Sequence, residues 1–422
     1  MTTAIRAVRR PYAWVVFGVT FVTLLLASAR IPVPGVVLDP LHEELGWSKG
    51  TVGAAQAVSL VLFGLMGPFA AALLARFGLR RVVTLALVTV TIGTGLTSVM
   101  TQPWHFVLAW GVVVGAGTGC MATVLAASVA NRWFVARRGL ITGCLTAATA
   151  TGQLVFLPVL TALSDGPGWR WVVRVAALSA ALAIVPVVLL MRDKPEDVGQ
   201  RALGAPEGYR TPPPPAHPIG LAWTGLRSVS GSGAFWLLVG GFFVCGLSTN
   251  GLVQTHFISA AHDHGLARTT AAGYLVLIGV FDIIGTMASG ALTDRYDPRR
   301  LLFAYYALRG VSLLVLEPSL TAGSAPLVVF MVFYGLDWVA TVPPTVALCR
   351  ECFGPELATV TYGWVFAAHQ LGGASAAWGA GALRDLTGSY TVAWLLAGVC
   401  CLGAAIGSLS IGRPALRPVP VT

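Results

Sequence analysis

The chain has 422 residues, of which 56% are hydrophobic and only 10% charged, with a net charge of +10 and a mean hydropathy of +0.77. A soluble domain carries roughly 25% charged residues, so this composition excludes one and points to a membrane protein. The apolar runs are continuous rather than alternating, which excludes a barrel of roughly 10-residue strands. Helices remain as the structure that satisfies its own backbone in lipid.

A helix needs about 20 apolar residues to cross roughly 30 Å of hydrocarbon. In chain order, such runs are expected near 12–36, 48–75, 82–100, 104–130, 139–162 and 171–191, and then near 234–258, 269–293, 301–320, 325–349, 357–383 and 388–412. The first opens on "MTTAIRAVRRPYAWVVFGVTF", which has the basic start of a signal peptide. Further runs follow, however, and Arg30 stands where cleavage favours small residues, so it reads as an uncleaved helix.

Lys and Arg are spread unevenly about these runs. Twenty lie on the side of the N-terminus, among them Arg6, Arg9, Arg10, Arg76, Arg80, Arg137, Arg413 and Arg417, against four on the other side: Lys49, Arg170, Arg268 and Arg384. The positive-inside rule then predicts cytoplasmic termini and a cytoplasmic loop at 192–233, in a plasma membrane. Topology accounts for the net charge, and no nucleic-acid partner is inferred from it.

The loop 192–233, with its "RTPPPPAHPIG", is predicted to be a stiff, extended linker. It separates an N-terminal half, 12–191, from a C-terminal half, 234–412, and the halves match at an offset near 220. Trp14 pairs with Trp236, and Arg76, Arg80 and Arg81 pair with Arg295, Arg299 and Arg300. Likewise Gly143, Gly152, Asp165 and Gly168 pair with Gly363, Gly372, Asp385 and Gly388.

The repeated segments "GPFAAALLARFGLRRV" and "GTMASGALTDRYDPRR" resemble the loop after the second helix of each half in the major facilitator superfamily. That resemblance implies an all-α integral membrane fold: twelve transmembrane helices in two pseudo-symmetric six-helix bundles that rock about a midplane site. It also implies gating loops that include Arg76, Arg80, Asp294, Arg295 and Arg299 and latch neighbouring helices in one state. In the first copy Ala75 stands where the family has Asp. A finer match, "RWFVARRGLITGCLTAATATG" with Phe134, Arg137, Arg138, Leu140, Gly143 and Ala147, is similar to the fifth-helix signature of the monocarboxylate carrier and oxalate-formate antiporter-like group.

Asp282, Arg309, Asp337 and His369 fall about 10 to 13 residues into their runs, near mid-depth. Ionisable groups at that depth face the bundle interior. In the monocarboxylate carriers an eighth-helix Asp is followed four residues later by a substrate-binding Arg; here "VFDIIGTM" supplies Asp282 but has Thr286 at the Arg position. Asp282 is therefore read either as serving proton coupling, alongside Asp337, or substrate binding, or as the structural partner of Arg309, the nearest cation at that depth.

Arg30, in "LLASARIPVPG", falls on a helix that the resemblance places along the cavity. A guanidinium holds a carboxylate in bidentate fashion, so Arg30 is read as anion-binding, with snorkelling to the outer interface as the alternative. Arg309, Gln56, Asn250, Tyr305 and His369 complete the substrate-binding candidates; polar residues at such depth otherwise join helix to helix.

His256, His262, Asp263 and His264 lack a uniting metal-ligand spacing and are read as a gate or pH-sensitive loop, and "CREC" at Cys349 to Cys352 as a reduced, packed pair. No metal or cofactor is expected. With no P-loop, dinucleotide motif or nucleophile-and-base pair legible, the chain is not expected to be an enzyme. The expected function is secondary, proton-coupled transport of a small, monocarboxylate-like organic anion by a monomer in the bilayer; the alternative is an exporter of a drug or secondary metabolite.

Overall fold

The structure, a computed structural model, describes residues 11–119, 121, 123–135, 138–206 and 218–412. The tail cations Arg6, Arg9, Arg10, Arg413 and Arg417, the signature residue Arg137 and the Pro-rich stretch 210–217 lie outside the described residues. Among those described, the regular structure is helical, apart from one isolated strand-type bridge, Phe134 to Leu203.

The first membrane run comprises α1 (Ala13–Ala27), a tight turn at Ser28–Arg30, and α2 (Val33–Leu45). Pro32 and Pro34 lack the N–H that would continue α1, and so the chain breaks there and restarts. The next two runs are α3 (Lys49–Phe77), whose first turn is capped by the Ser48 hydroxyl accepting from Thr51 N–H, and α4 (Leu79–Thr97). In the fourth run, α5 (Pro103–Phe106) passes through a π-helical stretch, Val107–Val114, to α6 (Gly115–Thr118) and α7 (Thr123–Trp133). The N-terminal bundle closes with α8 (Arg138–Asp165) and α9 (Trp169–Leu190).

After the linker helix α10 (Pro218–Val229), the C-terminal bundle repeats the plan. Helices α11 (Gly233–Gly246) and α12 (Gln254–Asp263), joined by the π-helical Leu247–Val253, form the seventh run, and α13 (Arg268–Thr293) and α14 (Pro298–Thr321) follow. The tenth run begins with α15 (Ser324–Asp337) and continues into α16 (Val342–Thr387), a pair of helices joined at Gly354, whose φ of 78° only glycine adopts freely. The last run is α17 (Thr391–Leu409). Among the described residues ten of these runs are long and apolar enough to cross a membrane, and the helical segments of the fourth run, from Pro103 to Thr118 and from Thr123 to Trp133, and of 355–387 add two more.

The described parts of the linker, 192–233, are not simply extended. Residues 218–229 form α10, which lays Trp223 against Phe69 of α3 and Trp364 of α16 and so touches both bundles. Its other end is tied to the N-terminal bundle: Leu203 N–H donates to Trp133 O at 2.8 Å and Tyr12 N–H to the Gln200 side chain at 2.7 Å.

The apolar interior shows how the bundles meet. Near α7 and the start of α1, the N-terminal bundle has its own core, including Val16, Leu74, Val129 and Trp133, and the matching end of the C-terminal bundle has a separate one, including Phe235, Leu302, Cys349 and Ile411. At the opposite end a single core runs through both, with Val36, Trp110 and Trp169 packed in one cluster with Phe257, Leu316 and Trp394. There α3 and α16 approach so closely that a Cβ on Gly53 would lie 1.9 Å from the Ala377 carbonyl oxygen. The two bundles are joined at one end and distinct at the end that carries the basic loops.

Candidate functional site

Arg30 ends the tight turn that breaks the first run, about midway along it. Its guanidinium lies 5.8 Å from the centre of the Phe63 ring, its Nε is buried, and it makes no hydrogen bond or ion pair among the described residues. A guanidinium offers five donors, and an interior cation without a partner costs a few kcal/mol. Arg30 thus has the chemistry to receive an anion that the chain does not itself provide.

Aromatic rings continue from this cation across the seam between the bundles. Phe63 meets Phe366 edge-on at 5.9 Å, Phe366 stacks on His369 at 5.8 Å, and His369 packs against Phe242 at 4.9 Å. His369 Nδ1 and Gln370 Oε1 are buried beside this strip without a hydrogen-bond partner among the described residues. Gly64 allows the close passage, since a Cβ there would sit 2.7 Å from that of Gln370.

The charges of the C-terminal bundle centre on a break in the tenth run. Pro343 and Pro344 have no N–H to give to the preceding turn, so α15 stops at Asp337 and α16 begins at Val342. Neighbouring side chains satisfy the backbone freed by this break. Arg309 Nη2 donates to the carbonyls of Asp337, at 2.5 Å, and Trp338, at 3.2 Å; the Ser289 hydroxyl donates to Ala340 O at 2.6 Å; Val339 N–H donates to Asp282 Oδ1 at 3.0 Å.

The partner of Arg309 is therefore not Asp282. Its Nε meets Asp337 Oδ2 at 2.6 Å, and its Nη1 reaches Cys245 Sγ at 3.0 Å and Ser248 Oγ at 3.5 Å. With its side chain fully enclosed and its donors engaged, Arg309 is closed to a substrate in this arrangement. Asp337 Oδ1 stays buried and unpartnered among the described residues. Asp282 accepts from Thr286, the residue at the family's Arg position, at 2.9 Å, and it lines a cavity of about 40 Å³ with Gln153, Gln254 and Trp338.

The other candidates are dispersed. Gln56 accepts from Trp110 Nε1 at 2.9 Å, a helix-to-helix bond within the N-terminal bundle. Asn250 lies on the seventh run with its Cβ near Gly373, and Tyr305 lies beside Ser289. The basic loops make no ion pair between the bundles among the described residues. Arg76 stacks on Phe77; Arg80 N–H donates to Asp193 Oδ1 at 2.9 Å, where the linker carboxylate fills the space left by Gly78. In the second copy Arg299 pairs with Asp297 at 2.7 Å and reaches Ile411 O, while Asp294 caps the end of α13 and Arg295 N–H donates to Leu292 O.

Sequence reasoning missed the charged network at the opposite end. Lys49, its side chain 5% exposed, meets Asp39 at 3.0 Å within its own bundle and Ser259 Oγ at 2.6 Å and Asp263 at 3.4 Å across the seam. Ser259 donates to Asp39 at 2.6 Å, Arg268 pairs with Glu43 and Asp39, and Asp385 accepts the N–H of Gly50 at 2.8 Å. His256 engages Ala377 O and Tyr390 OH, so it braces this network. His262 faces Glu43 at 3.8 Å and His264 faces Glu317 at 3.2 Å. Among the described residues no three His, Cys, Asp or Glu are grouped to hold a metal ion. The only legible signal was that all four cations on that side stand within a few residues of acids.

Two six-helix bundles joined at one end, with a polar seam at mid-depth, define an alternating-access membrane transporter. The Major Facilitator Superfamily model matches residues 16–377 and 257–420, and the chain belongs to this family. It is similar to an uncharacterized MFS-type transporter, YcxA, of Bacillus subtilis (strain 168), 23% identical over 375 residues that cover 88% of this chain and 87% of that one. It is likewise similar to monocarboxylate transporter 13 of Rattus norvegicus, 28% identical over 362 residues that cover 83% and 77%. The crystal structure of a D-xylose-proton symporter superposes with a TM-score of 0.73 at 16% identity, covering 97% of this chain and all of that one, a likeness of fold alone.

Proposed function

We propose that this transporter is a secondary carrier of small organic anions and that Arg30 receives the carboxylate. The observation that carries the reading is an interior guanidinium without an acceptor among the described residues, placed at the seam between the bundles. A carboxylate would meet it through two parallel N–H···O bonds. The similarity to a monocarboxylate transporter supports the same class of substrate. Proton coupling falls to Asp282, which faces a cavity, ahead of Asp337, which is held by Arg309.

In this reading 12–191 and 234–412 are the moving units and 192–233 joins them on the cytoplasmic side of the plasma membrane. The sealed end is then the outer one, and the structure corresponds to the inward-facing half of the cycle. Binding of radiolabelled short-chain acids by purified protein tests the site. Arg30→Lys, which keeps the charge and removes the fork, is expected to weaken binding about tenfold, and Arg30→Gln more. Unchanged affinity in both variants would remove Arg30 from the site; transport of bulky apolar compounds with no acid carried would favour the exporter.

A further inference from the structure

Among the described residues, Arg30 and Asp282 are interior charges without a counter-ion, and they belong to opposite bundles. Arg30 has no acceptor among the described residues. Asp282 has hydrogen bonds from Thr286 and Val339 but no ion pair, since Arg309 is spent on Asp337 and on the broken tenth run. An uncompensated carboxylate at this depth requires a counter-charge or a proton.

The surroundings of Asp282 suit one kind of counter-charge. The cavity of about 40 Å³ has room for a group near the size of a water molecule, which occupies about 30 Å³ in the liquid. Its polar lining is the Asp282 carboxylate and the amides of Gln153 and Gln254, bonded to each other across the seam at 2.7 Å, and the Trp338 ring adds an aromatic wall. Each amide oxygen has two lone pairs, whereas Gln254 Nε2, buried and unpartnered among the described residues, is a donor and takes no part in holding a cation. Carboxylate, amide oxygen and indole are the groups that hold an ammonium, through charge, hydrogen bonding and the negative face of the ring.

The first run brings this cavity close to Arg30. On one side of Arg30, Ser28 packs against Gly152, the neighbour of Gln153, where a Cβ would lie 2.0 Å from the Ser28 hydroxyl. On the other side Gly35 packs against the backbone of Gln254, where a Cβ would lie 2.7 Å from the carbonyl oxygen. The unpaired cation thus sits on the stretch of chain bounded by contacts to two residues of the unpaired carboxylate's cavity or their neighbours.

We propose that the cavity at Asp282 is an ammonium subsite and that the transported molecule is a zwitterion, an amino acid with its carboxylate on Arg30 and its ammonium on Asp282. The proposal rests on the anion reading of Arg30 and extends it; it gives Asp282 the substrate's ammonium in place of a coupled proton, which leaves proton coupling to Asp337. Each charged end of the substrate supplies what one bundle lacks, so binding draws the two bundles together through the ligand. Because the subsites lie on different helices, the chain between the two charged ends is a property the site selects.

The test uses the full chain, purified and reconstituted, with straight-chain ω-amino acids from glycine to 6-aminohexanoate and the unsubstituted acids of the same lengths in sodium-free buffer. At one chain length the amino acid is expected to bind at least about tenfold more tightly than its acid. Asp282→Asn keeps an oxygen for Thr286 and Val339 and is expected to abolish that difference; should it fold poorly, Trp338→Leu is expected to reduce the difference. Amino acids that bind no better than acids at every length, or a preference that survives Asp282→Asn, would overturn the ammonium subsite and leave the anion reading standing. Loss of pH-dependent acid uptake in Asp282→Asn, with no amino-acid preference in the parent, would make Asp282 a proton carrier instead. Failure of acids and amino acids alike to bind would overturn both readings.

Discussion

Arg309 illustrates what one residue does in a low-dielectric interior. Its guanidinium both neutralises Asp337 and supplies hydrogen bonds to the carbonyls of Asp337 and Trp338. Removing one member of a buried pair leaves an uncompensated charge and costs roughly 3–5 kcal/mol, whereas replacing both with apolar groups is often close to neutral. Arg309→Gln is therefore expected to lower the melting temperature of the detergent-solubilised protein sharply, and Arg309→Met/Asp337→Leu to recover part of the loss. The recovery is partial because the two carbonyls remain without their donor. A single variant as stable as the parent would contradict this account. The depth of Arg309 was legible from its place in an apolar run, but its partner was not, because residue spacing along separate helices does not state how each helix is rotated toward the next.

At the scale of elements, helix breaks are more informative than helices. The tenth run breaks at 337–342, and in the fourth α6 ends at Thr118 and α7 begins at Thr123, corresponding places in the two halves. In the tenth run the proline pair lies inside the continuous run expected at 325–349, so the break was not foreseen, and the side chains that stabilise it come from helices remote in sequence. Ser289→Ala leaves the Ala340 carbonyl without its donor, and an unsatisfied buried acceptor costs about 1–3 kcal/mol. The same melting measurement is expected to register that loss without removing any charge. Helix α10 was hidden for the opposite reason: the preceding prolines argued for an extended segment, and the aromatic contacts of Trp223 with both bundles came into view only with the packing.

For the whole molecule, the twelve runs, the two-fold repeat and the mid-depth charges could all be read from composition and spacing. The state of the molecule could not, because it depends on contacts such as Lys49 with Asp263 and Arg268 with Glu43, which join residues from different halves. Gly53→Leu would place a side chain where the Ala377 carbonyl already lies and is expected to force the sealed end apart. Labelling of Val36→Cys, from the shared core, should rise in that background when no other reactive cysteine is present. In the same reagent Arg201→Cys should stay unlabelled from outside intact cells if 192–233 is cytoplasmic, and efficient labelling would reverse the proposed orientation. The pairing of Arg30 in one bundle with Asp282 in the other also bears on membrane voltage. Moving a single charge through the full field involves about 2.3 kcal/mol per 100 mV, but these two charges sum to zero, and a bound zwitterion leaves the sum unchanged. The interior charges of both the empty and the loaded carrier would then cross without electrical work, so amino-acid exchange should produce no current in reconstituted membranes, while a lone carboxylate moving without a proton should produce one.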